Sequence, residues 1–423
     1  MIRTLFGQIA LVLTALFLGA TLALPYNGGY VLAYALMALT LVMVIMLAVA
    51  RGKWSIGAAG WCFIVAFALI GLAFSVDGEA QMMVNFLFLI AFVPLSSWLS
   101  RYAQPDSAAV VSWVALTGTM LSAITAVNET IVLGNRRAEG WWSDPIWSAE
   151  AALILGFLAL TAFPVMKSRW RFLLLLGPVV GLGIVALSGS RGPLVAAPVI
   201  ALVLVATTFR PWWKQILSLF AVVIIAGAVL LPFVPSAMKR VERTGTVIVQ
   251  LLTTGTIKER SAGARLEFWK AGTKAFLARP LTGYGWNNRV DAAYEYLPDK
   301  GKAYESKGSS LRGNHHLHAD ILDMGVSGGI LGLLAYALML LAPLLGAWRS
   351  VRDSQYAARL TGALVLTTGY AVCGLSYLMF GYEFHTTLYV CLVAIVLGFC
   401  RDDPPARFSP PSPQPGGRRS GRL

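Results

Sequence analysis

Charge is what this 423-residue chain has least of: 13% of its residues are Asp, Glu, Lys or Arg, against 57% that are hydrophobic. A soluble globular chain carries about 25% charged residues, so an ordinary water-soluble fold is excluded. Alternating short segments are also missing, which excludes a membrane β-barrel. The four cysteines, Cys62, Cys373, Cys391 and Cys400, lie in or at the ends of apolar runs with no metal-ligand spacing, and read as small hydrophobes in helices. No internal repeat suggests a two-fold transporter. The first apolar run follows Arg3 and leads into a second without a processing site, so no cleavable signal peptide is expected. The net charge of +14 is scattered over short loops, a central loop and the tail. Without a single basic stripe it does not indicate nucleic acid; at a membrane surface it favours anionic headgroups or phosphate-bearing lipids.

What is present is long apolar sequence. Runs fall near residues 5–24, 29–50, 56–74, 81–99, 107–128, 146–166, 171–188, 192–209, 214–235, 318–346, 356–379 and 384–400. Each approaches the ~20 residues that cross a bilayer core as a helix. The fold class expected is therefore all-α: a polytopic membrane protein of about twelve transmembrane helices with one large loop region. It divides into a bundle over 1–235, a loop region with amphipathic helices over 236–317, a second bundle over 318–400, and a Pro/Ser/Gly/Arg-rich tail over 401–423 expected to be disordered. With a cytoplasmic N-terminus, one set of links holds Arg51, Lys53, Arg101, Lys167, Arg169, Arg171, Arg210, Lys214, Arg349, Arg352 and Arg359, while the opposite short links hold Arg136, Arg137 and Arg191. Retention of Lys and Arg on the cytoplasmic side then places the large loop outside.

Three stretches on that outer side carry candidate chemistry. In Leu187-Ser188-Gly189-Ser190-Arg191-Gly192-Pro193, two apolar runs are separated by a tight turn, with Pro193 in the first turn of the next helix. Arg191 sits at the membrane surface, either snorkelling to headgroups or binding an anion. In the loop, Ser261 to Arg279 reads as an amphipathic helix stopped by Pro280, and Thr282-Gly283-Tyr284-Gly285-Trp286-Asn287-Asn288 as a turn. The loop holds fourteen Lys/Arg against seven Asp/Glu, an excess that suits an acidic ligand such as a diphosphate. Arg265, just before Leu266 and Trp269, is singled out because a guanidinium forks onto phosphate oxygens. Arg289 is a further candidate for the same ligand.

Three of the protein's four histidines fall in Asn314-His315-His316-Leu317-His318-Ala319-Asp320. Histidine titrates near neutral pH, so such a cluster at a water–membrane boundary suggests acid–base work. The spacing predicts that Asn314 caps a helix carrying the histidines in its first turn, with His315 and His318 on one face and His316, Asp320 and Asp323 on another. Asp320 would then orient a ring nitrogen. A divalent metal on His315, His318 and Asp320, or interfacial histidines without chemistry, are the competing readings. The fourth histidine, His385, follows Glu383, either an acceptor-binding group or part of a polar turn.

These residues resemble the O-antigen ligase family, within the superfamily of O-antigen ligases and polymerases. Ala264-Arg265-Leu266-Glu267-Phe268-Trp269 through Pro280-Leu281-Thr282-Gly283-Tyr284-Gly285 is similar to that superfamily's Arg-Leu-x-x-Trp…Pro-Leu-x-Gly-x-Gly pattern. His316-Leu317-His318-Ala319-Asp320 with Gly329 and Gly332 resembles its His-x-His-Asn-x-x-Leu…Gly-x-x-Gly pattern, and Ser188-Gly189-Ser190-Arg191-Gly192 its Ser-x-Ser-Arg-Gly turn. Ala319 departs from the usual Asn. By register with the glycines, His318 matches the family's essential histidine, ahead of His315 and His316.

The resemblance implies metal-independent, nucleotide-independent glycosyl transfer, with no cofactor, at the periplasmic face of a bacterial inner membrane. The donor would be O-antigen polysaccharide on undecaprenyl diphosphate. The acceptor would be a sugar hydroxyl of lipid A–core, with His318 as general base and Arg191, Arg265 and Arg289 on the diphosphate. A polymerase of the same superfamily, or a lipid-linked glycan transporter with Glu150 in its path, are the alternatives.

Overall fold

A computed structural model describes residues 56–76, 78–140, 144–215, 260–297 and 316–402, with isolated positions elsewhere. The expected spans 5–24 and 29–50, most of 214–235, His315 and the tail beyond Asp402 lie outside the described residues, as does much of the 236–317 loop. The described residues form helices and no strand. In chain order they are α1 (Ala58–Val76), a 3₁₀ turn (Ala80–Phe86), α2 (Phe88–Ser100), α3 (Ser107–Val127), α4 (Pro145–Leu158), α5 (Leu176–Ser188), α6 (Arg191–Ala206), α7 (Arg260–Ala278), α8 (Arg289–Tyr294), α9 (Asp320–Trp348), α10 (Tyr356–Cys373) and α11 (Glu383–Ala394). Five stretches among them are long and apolar enough to cross a membrane: 58–75, 81–100, 107–132, 169–188 and 320–348; α4, α6 and the helix through 384–399 are shorter apolar helices.

Small residues let these helices approach. Gly328 meets Ala73 and Gly346 meets Ala59, so α9 runs antiparallel along α1. Gly156 of α4 faces Gly177 of α5, where a Cβ would lie 2.5 Å from the facing carbonyl oxygen. Without a hydrophobic drive between helices in lipid, such close backbone packing is what holds a bundle. Bulky apolar side chains such as Leu72, Ile124, Leu202 and Leu341 stay exposed on the rim, as expected where lipid is the solvent.

Helix direction sorts the two ends of the bundle. Beyond its break at Gly329, α9 runs to Trp348, about 28 Å at 1.5 Å per residue, so its start and its end lie at opposite ends. The end away from Asp320 collects Arg101, Lys167, Arg169, Arg171, Arg210, Lys214, Arg349, Arg352 and Arg359. It also exposes Trp61, Trp170, Trp213 and Trp348, the amphipathic rings favoured at a membrane–water boundary. Arg359 is fully buried there, bonded to Ser350 (2.9 Å), Asp353 (3.0 Å) and the Cys400 carbonyl (2.8 Å).

One local expectation is corrected. His316 and His318 do not ride the first turn of α9: the helix begins at Asp320, with Ala319 in the capping position and no side-chain cap. His316 to His318 form a bend before it. The carboxylates of Asp320 and Asp323 in the first helical turn explain the start, since they meet the positive end of the helix dipole.

Candidate active site

The bend is shaped by its middle residue. Leu317 is fully buried, packing in the cluster of Phe268, Ala271 and Ala275 of α7 with Val326 of α9. Its neighbours in sequence turn the other way, and the His316 and His318 rings lie 4.3 Å apart, nearly perpendicular. The His318 amide donates to His316 Nδ1 at 3.1 Å, which leaves the proton of a neutral His316 ring on Nε2. His318 has φ 56°, the one non-glycine residue with positive φ among the described residues. A non-glycine residue there costs about 1–3 kcal/mol and persists only where its surroundings over-determine it.

Two aspartates of α9 supply that determination. Asp323, fully buried, accepts the Leu317 amide on both oxygens (3.2 and 3.0 Å) and the Arg289 Nε on Oδ1 (2.5 Å). Arg289 also donates to the Trp286 carbonyl and lies 3.8 Å over the Trp286 ring. Among the described residues Asp320 does not bond to an imidazole: its Oδ1 accepts the Met379 and Phe380 amides (2.8 and 3.1 Å), and its own amide donates to the Gly374 carbonyl (2.8 Å). Asp320 thus holds the loop that carries Tyr377. That ring stands 4.8 Å from His316 and 5.9 Å from His318, and its hydroxyl donates to Asp144 Oδ2 at 3.0 Å. Asp144 caps α4 through the Ile146 amide (2.7 Å).

Arg265 reaches this place through α7. Arg265, Phe268 and Gly272 recur at helical spacing, and Gly272 packs on Leu317 and Leu322, so α7 lies over the bend. Burial and then the Arg265 guanidinium lower the His318 pKa to about 4; both disfavour the imidazolium. Its Nδ1 has no hydrogen-bond partner. At neutral pH His318 is therefore an uncharged ring able to accept a proton.

Arg191 opens α6 directly after a turn at Gly189, whose φ of 66° favours glycine. The turn is tied down by Arg137 Nε to the Ser188 carbonyl (2.6 Å) and by Ser190 Oγ to the Pro145 carbonyl (2.9 Å). Gly192 abuts Ser376, next to Tyr377. The start of α6, the start of α4, the Tyr377 loop and the two imidazoles thus form one continuous patch. Of the remaining candidates, Glu383 opens α11, and its side chain lies outside the described residues. Sequence reasoning passed over Asp144, Asp323 and Tyr377 as site residues. Asp144-Pro145 signals a helix start, but the bond from Tyr377 to Asp144 joins residues 233 apart and leaves no local trace.

The motif glycines serve docking. α9 breaks at Gly329 (φ 58°, ψ −144°), and the Pro280–Gly285 turn lies in the break. Ile330 N–H donates to the Pro280 carbonyl (2.8 Å), while Tyr284 and Gly285 donate to the Val326 and Ser327 carbonyls (2.8 and 2.9 Å). A Cβ on Gly329 would sit 2.5 Å from the Leu281 carbonyl oxygen. Glu79 then accepts the Trp286 and Asn287 amides.

Residues 176–337 match the family model described as O-antigen ligase. The chain is also 22% identical over 230 residues to an O-antigen ligase of Escherichia coli (strain K12), covering 54% of this chain and 52% of that protein. The chain thus spans about half the length of that relative. The span matched to that family holds Arg191, Arg265, Arg289 and the His316–His318 bend, so the similarity falls on the residues of the candidate site.

Proposed function

We propose that the protein is an O-antigen ligase of the bacterial inner membrane, with its site on the periplasmic face. It moves O-antigen polysaccharide from undecaprenyl diphosphate to a sugar hydroxyl of lipid A–core. The observation that carries the reading is the uncharged, partner-free nitrogen of His318 within electrostatic reach of Arg265. An imidazole of this kind removes a proton, and a guanidinium beside it holds an anion.

In the proposed step, the acceptor oxygen attacks the anomeric carbon opposite the diphosphate, so configuration inverts. Its proton passes to His318 as general base. The anomeric C–O bond breaks and its electron pair leaves on the diphosphate oxygen. Arg265 and Arg191 hold that diphosphate and offset the charge growing on it, the electrostatic contribution that is usually largest in catalysis. Confining both substrates to the membrane plane supplies orientation. No metal or nucleotide is assigned a part. Support for the periplasmic side comes from the basic residues, which gather at the end away from the histidines.

Deleting the protein from its cell tests the reading against its alternatives. A ligase predicts lipid A–core bare of polymer, with polymer accumulating on its lipid carrier. Core carrying single repeat units would instead identify a polymerase, and unchanged lipopolysaccharide would exclude both. In vitro, His318→Ala is expected to lower transfer by about 10²–10⁴-fold, the usual weight of a general base, while Arg265→Ala and Arg191→Ala raise the donor KM.

A further inference from the structure

We propose that Asp323, braced by Arg289, is the positioning residue that fixes His318, and that Arg289 serves this brace and not the donor diphosphate. The inference rests on the reading of His318 as the base. Three observations carry it. The Leu317 amide lies outside α9 and has both Asp323 oxygens as its acceptors (3.2 and 3.0 Å). Pinning this amide fixes the His316–Leu317 peptide, one residue before His318, whose left-handed backbone must be enforced by its surroundings. The Arg289–Asp323 pair is buried on both sides, with side chains 5% and 0% exposed. The guanidinium is committed to Asp323, to the Trp286 carbonyl and to the face of the Trp286 ring.

A buried ion pair is a poor choice for stability alone, because apolar side chains of similar volume usually do as well or better. What apolar side chains lack is an acceptor for the Leu317 amide. The pair is therefore explained by the bond it makes to the histidine bend. A donor phosphate would have to displace a carboxylate from a ring-stacked guanidinium to use Arg289. The brace extends further: Trp286 sits between Phe74 and Phe86 at 5.9 and 5.8 Å, and Glu79 accepts its amide. The base is thus held through Arg289 to the α1 end of the bundle.

The test uses the full-length protein in lipid nanodiscs with lipid-linked polysaccharide and lipid A–core. Asp323→Asn is expected to lower kcat at least tenfold, with donor affinity within twofold of wild type. Asp323→Glu keeps the ion pair, and hence folding, but displaces the oxygens; it should melt like wild type and still lose kcat. Arg289→Met combined with Asp323→Leu replaces the pair by apolar volume and should lose no more kcat than Asp323→Asn alone. Wild-type kcat in folded Asp323→Glu or in the apolar double variant overturns the proposal. So does donor affinity in Arg289→Met falling as far as in Arg265→Ala, which would return Arg289 to the diphosphate. His318→Ala separates the two levels: transfer retained there removes the base itself, whereas transfer lost there but kept in the Asp323 variants removes only the brace.

Discussion

A single side chain sets the pH behaviour expected of this site. His318 accepts a proton only when neutral, and its pKa is lowered to about 4 by burial first and by Arg265 second. The neutral form is therefore present above about pH 4 and is lost as pH falls through that value. In kcat/KM, which reports the free enzyme, the acidic limb should appear near pH 4, well below the ordinary histidine value of about 6.5. Once a diphosphate stands beside Arg265, its negative charge favours the imidazolium, so the limb in kcat should move upward. Arg265→Gln removes the opposing cation and should move the kcat/KM limb upward as well. A limb that stays in place in that variant would mean that Arg265 does not face the base. The same residue shows what could and could not be read from sequence. Three histidines in seven residues point to acid–base work, and register with Gly329 and Gly332 points to His318. The left-handed backbone and the grip of Asp323 on Leu317 were hidden, because they depend on α7 burying Leu317 from a distant part of the chain.

Elements were legible where the signal was local. Pro280 stops the amphipathic helix as expected, with α7 at Arg260–Ala278, and the break between α5 and α6 falls at the Ser-Gly-Ser-Arg turn. The start of α9 was misplaced because Asn314 resembles a cap, whereas the acidic residues that mark the true start come later. The break inside α9 was invisible as a break: Gly328-Gly329 lies in an apolar run whose hydropathy simply continues. Its purpose emerges only from the docked Pro280–Gly285 turn, which borrows carbonyls released by the kink. Gly329→Ala is accordingly expected to destabilise the protein by about 1–3 kcal/mol from the positive φ alone. It should cost transfer activity too, since the added Cβ pushes out the turn that leads to Trp286 and Arg289. Gly183→Ala in α5, where a Cβ meets nothing within 4 Å, should be neutral or slightly stabilising. Thermal unfolding of both variants in detergent checks this; equal midpoints would show that the kink does not depend on glycine.

At the scale of the molecule, the proposed function depends on which end of the bundle faces which compartment. A lipid-linked sugar and a lipid-anchored acceptor can meet at Arg191, Arg265 and His318 only if that end is on the side where both are displayed. The part of α9 beyond its break at Gly329 separates residues near Asp320 from residues near Trp348, so one labelling experiment decides between the two orientations. The native cysteines Cys62, Cys373, Cys391 and Cys400 are all buried, which keeps background reaction low. Asp291→Cys in α8 and Arg352→Cys beyond α9 each place a thiol at an exposed position on opposite ends. In intact spheroplasts a membrane-impermeant maleimide should label position 291 and spare 352 until the membrane is opened. Retention of Arg and Lys on the cytoplasmic side requires this order: Arg101, Arg169, Arg349 and their neighbours crowd the end that carries 352. The reverse pattern would put the imidazoles in the cytoplasm, where a periplasmic acceptor cannot reach them, and would remove the ligase reading.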